Sequence, residues 1–202
     1  MPQGIKLLLG ILGIIVLGLA LHFIKKPSPT KQTGNPGLVN AKIFLLRHAE
    51  KPDTGSQLSE KGQQRAKAYV AYFSNLASDK KISYIFASAD SPQSERPRLT
   101  IAPTAEALGL KIDQSFRAKD VFDLAQELKR RSHGPQIIIV WHHGEIPALF
   151  EALGGDDAEE FWDKGKWPEN DFNHVVEITF DEHGELYQAT RKKVALLPGD
   201  KK

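Results

Sequence analysis

The sequence predicts an α/β domain, a three-layer α/β/α sandwich around a mixed, mostly parallel central sheet, with a transmembrane helix ahead of it. Three observations carry this. Strand-like and helix-like apolar patterns alternate along residues 39–153, which builds parallel strands with helices between them. The runs Ile43-Phe44-Leu45-Leu46 and Ile137-Ile138-Ile139-Val140-Trp141 are apolar at every position, as strands covered on both faces are. The last two strand patterns flank Asp181-Glu182-His183-Gly184, a hairpin signal that makes the carboxyl-terminal part of the sheet antiparallel.

Taken in order, residues 7–24 are an almost unbroken apolar run bounded by Lys6 and by Lys25 and Lys26. A bilayer takes roughly 20 apolar residues, with about 17 as the lower limit. The run meets that length, and its flanking lysines can snorkel. Gly18-Leu19-Ala20 offers a weak signal-peptide cleavage site, but the apolar run continues past it, which favours an uncleaved anchor. The basic residues after the run lean the domain toward the cytoplasm. The chain therefore divides into an anchor with its flanks (1–26), a Pro/Gly/Ser/Thr-rich extended linker (27–38) and a folded domain (39–202).

Within the domain, 39–46 reads as a buried strand. Ser59 caps a helix that turns Ala66, Tyr69, Val70, Phe73 and Leu76 inward. Residues 82–87 form the next strand, and a Ser-rich loop follows. A helix spans 96–108, with Pro97 in its first turn, Gly109 as its stop and Pro103 expected to kink or divide it. Residues 120–131 form an amphipathic helix with Val121, Leu124, Ala125 and Leu128 inward. After the His133-Gly134-Pro135 turn, 137–141 is the most apolar strand and the central one. Residues 144–153 form a helix, and 174–180 with 185–190 form the hairpin.

Of the 202 residues, 41% are hydrophobic and 26% charged, as in one ordinary globular domain. The net charge of +2 and the scattered basic residues argue against nucleic acid as a partner. With no cysteine, a thiolate nucleophile, a disulfide scaffold and a Cys-ligated metal are excluded.

Three places carry chemistry. Arg47 and His48 end the first strand. His142, His143 and Glu145 follow the central one. Arg96 opens a helix in Ser94-Glu95-Arg96-Pro97-Arg98-Leu99-Thr100. An open α/β sheet gathers such points on the rim formed by the carboxyl ends of its strands. Arginine forks match phosphate oxygens, helix amino ends attract anions, and a neutral imidazole is a competent nucleophile toward phosphorus.

Arg47-His48-Ala49 resembles the Arg-His-Gly motif of the histidine phosphatase superfamily, which includes phosphoglycerate mutases and acid phosphatases. Leu58-Ser59-x-x-Gly62-x-x-Arg65-Ala66, Arg96 with Thr100, and Trp141-His142-His143-Gly144-Glu145-Ile146-Pro147 resemble three further segments of that superfamily in the same order. The likeness runs from about Ala41 to Leu153 and is greatest to the short, compact phosphatases.

It implies a phosphoglycerate mutase-like fold, with His48 as phosphoryl acceptor and Arg47 and Arg96 as phosphate clamps. A second histidine supports the transition state, and no cofactor or metal is needed, because arginines and histidines supply the positive charge. Spacing to Ile146 and Leu149 suits His142 as that second histidine. A branch resembling Trp-x-His-x-x-Ile-Pro suits His143, which is favoured. Glu145, with Asp120 behind it, is the candidate proton donor.

Blander readings apply elsewhere. His22, His133, His174 and His183 are ordinary histidines, Arg65 is an ion-pairing helix residue, and Arg98 is a solvated one. Glu50 and Lys51 either pair with each other or line the site. Phe161, Trp162 and Trp167 are core or lid. The sequence thus predicts a membrane-anchored hydrolase of phosphoric esters acting through phosphohistidine on a small phosphorylated substrate or a phosphoprotein. A mutase-like phosphoryl transferase and a non-catalytic phosphate sensor at the membrane are the alternatives.

Overall fold

The computed structural model describes residues 35–76, 81–156 and 161–200. The apolar run 7–24, with its anchor and signal-peptide readings, and the linker up to residue 34 lie outside the described residues. Among the described residues no helix is long and apolar enough to cross a membrane.

A six-stranded sheet is built from β1 (Lys42–Arg47), β2 (Tyr84–Ala87), β3 (Ile112–Asp113), β4 (Gln136–Trp141), β5 (His174–Phe180) and β6 (Leu186–Lys193). The spatial order is β3-β2-β4-β1-β5-β6. The β3, β2, β4 and β1 strands run parallel, and the β5–β6 hairpin joins antiparallel to β1. Among the described residues, four helices lie between the strands: α1 (Glu60–Leu76), α2 (Arg96–Leu108), α3 (Val121–Arg130) and α4 (Ile146–Ala152).

Strand side chains alternate between faces, and this sorts the core. Ile43, Leu45, Ile137, Ile139 and Trp141 pack with α3 and α4. Phe44, Leu46, Ile138 and Val140 pack with Tyr69 and Phe73 of α1 and Ile101 and Ala105 of α2. The sandwich is therefore three-layered. Each fully buried Leu, Ile or Phe removes apolar surface worth about 1.5–3 kcal/mol from water. β4 is buried at every position and sits between β2 and β1.

Several boundaries differ from the sequence reading. The first strand begins at Lys42, because Asn40 takes a left-handed φ of 51° and turns the chain. Before it, Pro36–Leu38 form a 3-10 turn whose Leu38 is buried in the core, so the end of the linker packs on the domain. Pro103 does not divide α2, which runs unbroken to a left-handed Gly109 cap. α4 starts two residues later than expected, at Ile146, and β6 continues to Lys193. β3 has no counterpart in the sequence reading: two half-buried edge residues carry too short a pattern.

Candidate active site

Parallel pairing places the carboxyl ends of β1, β2 and β4 on one rim. The register sets Arg47 beside Trp141, and the His48 N–H donates to the Trp141 carbonyl at 3.0 Å. The residue after Trp141 therefore lies alongside His48. That residue is His142, whose ring meets the His48 ring edge-on with centroids 5.2 Å apart. The ring against His48 is thus that of His142, whereas the sequence reading favoured His143. His143 sits one residue farther along the same cleft.

His48 is 3% exposed. Its Nδ1 lies 2.7 Å from the Ala49 carbonyl. A carbonyl only accepts, so Nδ1 carries the proton and Nε2 keeps its lone pair. Burial pushes the His48 pKa down to about 3, opposed by the Ala49 hydrogen bond and assisted by His142, Arg47 and Arg96. Burial, with Arg96, His143 and Arg47, holds His142 at about 4. Both rings are neutral at physiological pH.

Arg47 is 2% exposed. Its Nη1 donates to the carbonyls of Pro168 (3.3 Å), Asp171 (3.4 Å) and Glu169, and the ring of Phe172 covers its guanidinium at 3.9 Å. Burial lowers its pKa to about 10 despite nearby Glu169, Asp171 and Glu50, so it stays charged. Arg96 donates through Nη1 to the Gly55 carbonyl at 3.1 Å. The Nε of each arginine is buried without a hydrogen-bond partner among the described residues. Unpaired buried guanidinium donors are costly, and both arginines bring their charge to the same cleft, which favours an anion there.

Thr100 links the segments that carry the two arginines. The Thr100 hydroxyl accepts from the Ala49 N–H at 2.8 Å and donates to the Arg96 carbonyl at 2.7 Å. Below them, the Ser59 N–H donates to the Glu50 carbonyl, and Ser59 Oγ caps α1 by accepting from Gly62 N–H. A Cβ on Gly62 would lie 2.3 Å from the Glu50 carbonyl oxygen, so only glycine lets α1 approach the loop after His48.

Arg47, His48, Arg96, His142, His143 and Glu145 line one cleft of about 390 Å³, together with Lys51 and Lys119. Asp120 is occupied otherwise, in a two-point pair with Arg117 at 2.8 Å. Arg65 is buried and pairs with Glu50 and Asp200. Arg98 pairs with Asp90. Trp162 and Trp167 are core. Among the described residues, no three His, Cys, Asp or Glu side chains are grouped to hold a metal. The sequence singles out the Trp167-Pro168 to Phe172 segment as shared with the branch that favours His143, but it does not place Phe172 or the 168–171 carbonyls against Arg47, more than a hundred residues away, and it offers no sign of Lys119. The sequence leaves Lys51 open between a pair with Glu50 and the site, and Lys51 lines the cleft.

No family model matches the chain, and no curated protein does. Solved structures do. One is a putative phosphohistidine phosphatase SixA from Agrobacterium tumefaciens, at 21% identity and TM-score 0.51, covering 75% of this chain and 98% of that one. Another is a phosphoglycerate mutase from Plasmodium falciparum, at 15% identity and TM-score 0.53, covering 80% of this chain and 96% of that one.

Proposed function

We propose that this chain, whose fold is that of the histidine phosphatase superfamily, is a phosphatase that hydrolyses a phosphate monoester or a phosphoprotein through a phosphohistidine on His48. The observation that carries the reading is a buried, neutral imidazole with its tautomer fixed by Ala49, set between two arginines with unused donors.

Arg47 and Arg96 hold the non-bridging oxygens of the phosphoryl group. Nε2 of His48 attacks phosphorus, the N–P bond forms and the P–O bond to the leaving group breaks. The leaving oxygen takes a proton from Glu145, which lines the cleft. Water then attacks the phosphohistidine, releasing phosphate and restoring Nε2, with Glu145 accepting the water's proton. The neutral His142 ring donates toward the phosphoryl oxygens as charge gathers on them; its contact with His48 favours it over His143 for this role. In this reading the 7–24 run anchors the enzyme to a membrane, with its domain on the cytoplasmic side.

Phosphate release from p-nitrophenyl phosphate in the presence of excess chelator tests the reaction. Full activity is expected. His48→Ala should lose at least about 10⁴-fold, as removing a nucleophile does, and surviving turnover would sink the assignment. His142→Ala should cost more than His143→Ala. Recovery of the full chain in the soluble fraction after cell lysis would refute the anchor.

A further inference from the structure

Beside the catalytic cleft lies a second, larger one of about 730 Å³, between α4 and residues 165–169. Three features join the two. His143 and Gly144 line both. Pro168 and Glu169, which wall the second cleft, are also the residues whose carbonyls hold Arg47. Gly144, exposed at the junction, has nothing within 4 Å of where a Cβ would stand, so no side chain stands between the two clefts there.

The charges of the two clefts are opposed. The catalytic one carries Arg47, Lys51, Arg96 and Lys119 against Glu145. The second carries Glu151 and Glu169 against Lys166, on walls that include Ala148 and Pro168. A phosphoryl group fills only the first. Cavities that bind small molecules span roughly 300–1,000 Å³, so the second is the size of a ligand moiety in its own right. Its carboxylates accept hydrogen bonds from hydroxyl and ammonium groups and repel a carboxylate.

We propose that this second cleft receives the leaving group of the substrate, and that this group is a hydroxylated moiety of about hexose size that carries an amine rather than an acid. The inference rests on the phosphatase reading and narrows its substrate class. The substrate is then a dipolar small molecule, with phosphate at one end and a neutral or positive polyol at the other.

The test compares glucosamine 6-phosphate, glucose 6-phosphate and 6-phosphogluconate by kcat/KM, with p-nitrophenyl phosphate as the reference, for the full chain and for Glu151→Lys. Glu151 is exposed on α4 and takes no part in the proposed chemistry. The amine should be preferred, the neutral sugar intermediate and the acid poorest. Reversing the charge should cut the amine-to-acid ratio about five- to tenfold, the size of exposed charge interactions acting in both directions, with p-nitrophenyl phosphate unaffected. An acid preference in the parent chain, an equal effect on all three sugars, or turnover of p-nitrophenyl phosphate without any hexose phosphate overturns the subsite and leaves the phosphatase intact. Failure to turn over p-nitrophenyl phosphate removes the phosphatase reading and the subsite with it.

Discussion

Two arginines, Arg47 and Arg65, are each 2% exposed, yet their surroundings are opposite in kind. Arg65 is held by two carboxylates. Its Nε and Nη2 bond Glu50 at 3.0 and 2.8 Å, and Nη1 and Nη2 bond Asp200 at 2.8 Å each. Burial alone would lower its pKa, but these bonds outweigh it and raise it. Arg47 is held instead by backbone carbonyls and one aromatic face, its Nε is unpaired, and its pKa falls. A guanidinium that has spent its donors on carboxylates fastens a loop. One left under-satisfied keeps its donors for an anion. Burial alone does not separate these roles; partner chemistry does.

The contrast can be broken by experiment. Among the described residues, replacing Arg65 with Met leaves Glu50 only its longer contact with Lys61 and Asp200 only the N–H groups of Leu196 and Leu197. Removing one member of a buried ion pair costs about 3–5 kcal/mol, which denaturant unfolding should show, while turnover per folded molecule stays nearly unchanged. Arg47→Ala should act mainly on turnover. Losing one preorganised donor lowers kcat per folded molecule by roughly 10²–10³, over and above the stability lost with its carbonyl and Phe172 contacts. If both variants lose mainly stability, the distinction fails. Phe172→Leu tests the aromatic cover. A cation–π contact is worth about 0.5–2 kcal/mol, so KM should rise a few-fold to some thirtyfold, without the collapse seen for Arg47→Ala.

A pH series sharpens the same point. His48 and His142 titrate near 3 and 4 in the folded chain, against 6.5 when unperturbed. The unfolded chain therefore takes up protons near pH 6.5 that the native state refuses. By linkage, stability should decline as pH falls from 6.5 toward 4. The rate should keep its nucleophile through that window. After correction for the substrate's own ionisation, kcat/KM should show no acid limb at 6.5, and a limb there would refute a neutral, buried His48.

How far the sequence reached depends on distance along the chain. The layer order, the central β4, the terminal hairpin and the inward face of α3 were legible because each is a local apolar period. Arg47, His48 and Arg96 were legible because strand ends and helix starts have local signatures. That Arg65 forms an ion pair was readable from its helix. Its partner Asp200 was not, since 135 residues separate them. Phe172 and the carbonyls around Arg47 belong to a loop without periodicity, which takes its shape from what it packs on. Which of the two adjacent rings, His142 or His143, lies against His48 depends on a one-residue register against β1, which only the pairing of Arg47 with Trp141 supplies.

Thr100 narrows what this position can become. One oxygen joins Ala49, the residue after His48, to the helix that carries Arg96, accepting on one side and donating on the other. Valine matches its shape but can do neither, and would leave the Ala49 N–H buried and unanswered. Serine alone among the other small residues offers both functions at the same reach. Of valine, serine and threonine, only the last two can keep both bonds, and a single hydroxyl ties Ala49 to the Arg96 carbonyl.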